Sequence, residues 1–93
     1  MNTRKFDLQT IRHNAEMVLE GYAQQNKPDR CNALIYCCIE AGMNTGNEIV
    51  GSVHWMAPDL KKSFIGLLLN KPLKPETGEP FWRKDPVAGY VVN

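Results

Sequence analysis

The sequence contains no apolar run long enough to cross a bilayer: a run such as Phe64-Ile65-Gly66-Leu67-Leu68-Leu69 spans six residues, against about 20 for a membrane helix. Its polar N-terminal stretch also lacks the apolar segment of a secretory signal, so the cytoplasm is the expected location and no membrane partner is expected. Charge of one sign is not in excess either. Lys and Arg number 11 and Asp and Glu 10, for a net charge of +1 and a pI near 7.7. The balance is five against five over residues 1–42 and six against five over 43–93, which argues against strong nonspecific binding to polyanions.

Cysteine is scarce and oddly placed. Cys31, Cys37 and Cys38 are three in number and confined to one short segment, a poor basis for a disulfide framework, and reduced thiols are expected. No Cys-x-x-Cys or His-x-x-x-His element accompanies them, and only His13 and His54 remain to complete a metal set. Small buried hydrophobes are therefore the expectation, not zinc ligands. The residues around Asn44, Gly46 and Asn47 match neither a P-loop nor a dinucleotide fingerprint and read as turn chemistry. Glu16 and Glu20 lie one turn apart with nothing converging on them, as on a solvated helix face. No spacing brings a nucleophile, a base and an orienting group together, so neither an enzyme nor a cofactor is expected.

What is present is enough for one folded domain over residues 1–93: 43% of the residues are hydrophobic and 23% charged. Leu8, Ile11, Ala15, Val18, Leu19 and Tyr22 recur at three- and four-residue spacing and predict an amphipathic helix over about 7–25. Asp7 is its expected N-cap, with Phe6 packing on Ile11 as a hydrophobic staple. Pro28 suits the first turn of a second helix and Gly42 its stop, giving about 28–41. Cys31, Leu34, Ile35, Cys38 and Ile39 form one seam there, widened by Ala33, Tyr36, Cys37 and Ala41, and this is expected to be the central helix. Thr45 and Glu48 have the spacing of a capping box before Ile49, Val50 and Val53, predicting a third helix over 46–56. Pro58 is read as opening a fourth over 58–70, with Leu60, Phe64, Ile65, Leu67 and Leu68 buried.

Beyond residue 70 the character changes. Pro72, Pro75, Pro80 and Pro86 with Gly78 and Gly89 forbid a long helix. The aromatic and β-branched content of Phe81-Trp82 and Tyr90-Val91-Val92 predicts two short strands joined by Asp85-Pro86-Val87-Ala88, a hairpin over about 80–92. Adjacent strand residues point to opposite faces, so one of Phe81 and Trp82 is expected in the core and the other exposed beside Arg83, suited to base stacking or to a protein contact. The expected fold is mainly α with a small C-terminal β-hairpin.

The order of helix two, turn, short capped helix three, helix four and hairpin resembles a winged helix-turn-helix domain over roughly residues 31–92. Thr45-Gly46-Asn47-Glu48-Ile49-Val50 is similar to the Thr-x-x-Glu-Ile opening of the first helix of such motifs, and Gly89-Tyr90-Val91-Val92 to the closing strand of a wing. The resemblance implies that helix four is a recognition helix presenting Asp59, Lys61, Lys62 and Ser63 to the groove of double-stranded DNA. Lys61 and Lys62 would contact phosphates, and Arg83 and Lys84 beside Trp82 would grip an adjacent groove. Lys74 joins this set of binding candidates, and the reading allows a homodimer through helix one. Winged helices also bind proteins. The alternative is therefore a protein-binding adaptor, or an inhibitor of a larger complex of the kind encoded by phages and other mobile elements.

Overall fold

A computed structural model describes residues 7–20, 26–71 and 81–92. Among them the order is α1 (Leu8–Leu19), α2 (Lys27–Glu40), α3 (Gly46–Met56), α4 (Lys62–Asn70), β1 (Trp82–Asp85) and β2 (Gly89–Val92). The described chain is mainly helical and ends in a small antiparallel hairpin. Phe6, Tyr22, Lys74 and the run of Pro72, Pro75, Gly78 and Pro80 lie outside the described residues.

The first three helices begin where a side chain can satisfy their free backbone donors. The Asp7 carboxylate accepts from the amides of Gln9 and Thr10, Asn26 Oδ1 from that of Asp29 (3.0 Å), and Thr45 Oγ1 from that of Glu48 (3.4 Å). The end of α2 is equally specific. Gly42 takes a φ of 115°, its amide donates to the Ile39 carbonyl, and the Met43 amide donates back to Cys38 (3.1 Å). This is a Schellman ending, in which glycine supplies the left-handed conformation and the next residue is free to pack. Met43 does so, at 1% exposure.

α2 is the hub: Cys31, Ala33, Leu34, Ile35, Cys37, Cys38 and Ile39 are all buried, and α1, α3, α4 and β2 pack around it. α1 contributes a narrow stripe of Leu8, Ile11, Ala15 and Leu19. Val18, expected on that stripe, is 39% exposed, because at about 100° per residue it falls at the stripe's edge beyond Ile11. Ala41 is likewise exposed instead of widening the α2 seam, since it is the C-cap where the chain turns away.

The fourth helix differs most from expectation. It begins at Lys62 and not at Pro58, because residues 57–61 form the reversal between α3 and α4. The Leu60 amide donates to Ala57 (2.9 Å), and the Leu60 side chain is buried at 1% exposure. His54 Nδ1 lies 2.7 Å from the Leu60 carbonyl. That oxygen can only accept, so the Nδ1 position carries the proton and the ring pins the reversal. His54 is thus a connector residue. Ile65, Leu68 and Leu69 form the buried face of α4, whereas Leu67, expected inside, is 56% exposed.

Candidate functional site

The hairpin is fixed to the end of α4 by two polar contacts. The indole Nε1–H of Trp82 donates to the Leu69 carbonyl (3.0 Å), and the Tyr90 hydroxyl donates to Asn70 Oδ1 (3.0 Å). Leu69 lies in the last turn of α4, where carbonyls have no helical partner, so the indole acts as a side-chain cap. Trp82 is 1% exposed and Tyr90 7%. Of Phe81 and Trp82, Trp82 is thus the one in the core, which removes it from the exposed binding candidates: the inner face of a two-stranded hairpin must be covered, and Trp82 is the largest side chain available to cover it. Its neighbour Phe81 is half-buried and stands edge-on to Tyr36 at 6.0 Å between ring centroids.

A second device sets the hairpin against the α2–α3 turn. Gly89, at φ 84°, passes so close to Asn44 that a Cβ there would lie 2.2 Å from the Asn44 carbonyl oxygen. The next amide, of Tyr90, donates to that same oxygen (3.0 Å). Within the hairpin, Asp85 Oδ1 accepts from the amides of Val87 (2.8 Å) and Ala88 (2.9 Å), forming the turn that brings Trp82 opposite Val92 and Lys84 opposite Tyr90. These backbone donors hold the Asp85 carboxyl below its ordinary range.

Of the sequence-derived candidates, Lys61, Lys62 and Ser63 stand exposed at the start of α4, with Lys61 as the N-cap residue and no side-chain cap. Arg83 and Lys84 are exposed on β1; Arg83 lies 3.4 Å from Asp85, and the Lys84 ammonium 5.5 Å from the centre of the Tyr90 ring. The two groups do not form one patch. The hairpin docks on the C-terminal end of α4, so the length of that helix, about 12 Å at 1.5 Å per residue, separates the Lys61–Lys62 end from the Trp82 anchor beside Arg83.

Asp59, three residues before the start of α4, is occupied. Both of its oxygens lie 3.1 Å from Arg30 Nη2, and this hydrogen bond, chiefly, holds its carboxyl below the ordinary value. The pair ties the first turn of α2 to the α3–α4 reversal. No acidic residue occurs over residues 60–71, which carry Lys61, Lys62 and Lys71. The basic character of α4 was not visible in the net charge of +1, because it is offset by Asp and Glu on other elements.

The remaining polar chemistry is structural. Cys31 and Cys38 are fully buried and Cys37 nearly so, and burial pushes their thiols up to about 12, about 12 and about 11 respectively, so all three are neutral and unreactive near pH 7. Among the described residues no group of three His, Cys, Asp or Glu side chains could hold a metal ion, and no helix is long and apolar enough to cross a membrane. Comparison of the chain with protein-family models, curated proteins and solved structures finds no match.

Proposed function

We propose that the chain is a small non-enzymatic recognition module of winged-helix type that binds double-stranded DNA, with α3 and α4 as the helix-turn-helix, α4 as the groove-facing helix and the hairpin as the wing. The observation that carries this reading is electrostatic. α4 begins with exposed Lys61, Lys62 and Ser63, carries no carboxylate over residues 60–71, and has its nearest acid, Asp59, tied to Arg30. In this reading Lys61 and Lys62 hold phosphates at one end of α4, while Arg83 and Lys84 hold them at the other.

The test is fluorescence anisotropy of a labelled duplex at increasing salt. Binding that weakens steeply with salt supports the reading; retention at low salt of no duplex at all sinks it. A protein-binding role is favoured by one observation, the 56% exposure of Leu67 on the outer side of α4. Affinity capture that returns a stoichiometric protein partner insensitive to nuclease would support that second reading.

A further inference from the structure

A separate feature lies between the first turns of α2 and α4. Lys27 and Pro28 on one side, and Asp59, Leu60, Lys61 and Phe64 on the other, line a depression of about 400 Å³. Its floor is apolar, with Leu60 buried and Pro28 and Phe64 half-buried. Charge stands on its rim. Lys27 and Lys61 are exposed, and among the described residues neither has a carboxylate within ion-pair distance. The rim's carboxylate, Asp59, is offset by Arg30 at 3.1 Å.

We propose that this depression docks an acidic peptide segment, one aromatic or branched aliphatic side chain filling the hollow and flanking carboxylates meeting Lys27 and Lys61. A volume at the lower end of the roughly 300–1,000 Å³ of ligand sites has room for one large anchoring side chain. Charge complementarity decides the rest: two ammonium groups on either side of an apolar floor favour a segment with acids beside its anchor and repel one with bases there. A sugar-phosphate backbone satisfies the lysines but leaves Leu60 and Phe64 uncovered. The inference shares Lys61 with the duplex reading but rests also on Lys27, Pro28 and Phe64, which take no part in that reading.

The experiment is a titration of the isotopically labelled full chain, followed by amide shifts, with a short peptide carrying one Phe between pairs of Glu. A control peptide has Lys in place of Glu. The expected result is saturable shifts confined to the amides of Lys27, Leu60, Lys61 and Phe64 with the acidic peptide only. Joint Lys27→Glu and Lys61→Glu substitution should weaken binding by about tenfold or more; both side chains are exposed, and an otherwise unchanged spectrum shows that the fold persists. The proposal is overturned by no shift with the acidic peptide, by equal binding of the basic one, by shifts elsewhere, or by undiminished affinity of the double variant. Shifts of these amides with a DNA duplex but not with the peptide overturn it in favour of nucleic acid at this position.

Discussion

Replacing Trp82 with Phe removes one hydrogen bond and part of one ring, and the structure states what each does. The indole donates to the Leu69 carbonyl at 3.0 Å from a site that is 1% exposed. Phe leaves that carbonyl without its donor in a dry setting, at a cost of about 1–3 kcal/mol. The smaller ring also leaves a void, and together the two effects reach about 2–4 kcal/mol. For a chain of this size, each kcal/mol lowers the melting temperature by about 4–8 °C, so a fall of roughly 8–32 °C is expected. Urea unfolding followed by far-ultraviolet circular dichroism measures the free energy directly, with the slope m unchanged if the native state keeps its extent. Trp55, 47% exposed, remains as a second fluorophore to check that different probes give one transition. A loss below about 0.5 kcal/mol is what a surface position shows, and it would refute the burial of Trp82 and the anchoring of the hairpin on α4.

Gly89→Ala should be among the most damaging single-methyl additions, by about 2 kcal/mol or more in the same urea assay, because it combines a positive φ with a Cβ at 2.2 Å from the Asn44 oxygen. Gly51→Ala and Gly66→Ala should instead stabilise by about 0.5–1 kcal/mol each, since both glycines sit inside helices and a Cβ there meets nothing within 4 Å. The cysteines set an alkaline limit: with folded thiols raised to about 11 and 12 from an ordinary 9.0, the unfolded chain loses protons first, so stability falls progressively as pH rises above 9 and a Cys38→Ala variant loses less over that window. On the acid side Asp59 has the opposite sign. Its folded carboxyl lies below the ordinary 3.8, so its contribution is present above that value and is lost as pH falls beneath it; Asp59→Asn should flatten this part of the pH profile measured by thermal melts.

Much of the scaffold was legible because its signals are local. The Thr45 cap is read by neighbours three residues away, and the Gly42 stop by the residues before it, so α3 and the end of α2 stand where spacing puts them. The start of α4 was misread for a physical reason. Pro58 is compatible both with a first helical turn and with a tight reversal, and the choice is made by Leu60 burying itself and by His54 binding the Leu60 carbonyl, contacts that spacing alone does not reveal. Alternation placed one of Phe81 and Trp82 in the core but not which one, since that depends on α4 lying beneath Trp82, and Phe81 is half-buried against the core instead of exposed. The Arg30–Asp59 pair, 29 residues apart in the chain, left no mark in the sequence. Asn32 is a further case. It sits among hydrophobes on α2 at 2% exposure, with Oδ1 unpartnered, and its pattern position gave no warning of either fact.

The central claim is that the start of α4 holds phosphates, and the most direct measurement is the salt dependence of duplex binding for the parent chain against Lys61→Ala with Lys62→Ala. Each phosphate contact contributes about 0.9 to the slope of log K against log salt, so removing two should lower the slope by about 1.8 as well as weakening binding at low salt. Both side chains are exposed and neither joins the core, so the melting temperature should stay near that of the parent. An unchanged slope and affinity in the double variant, with the fold intact, would contradict the account.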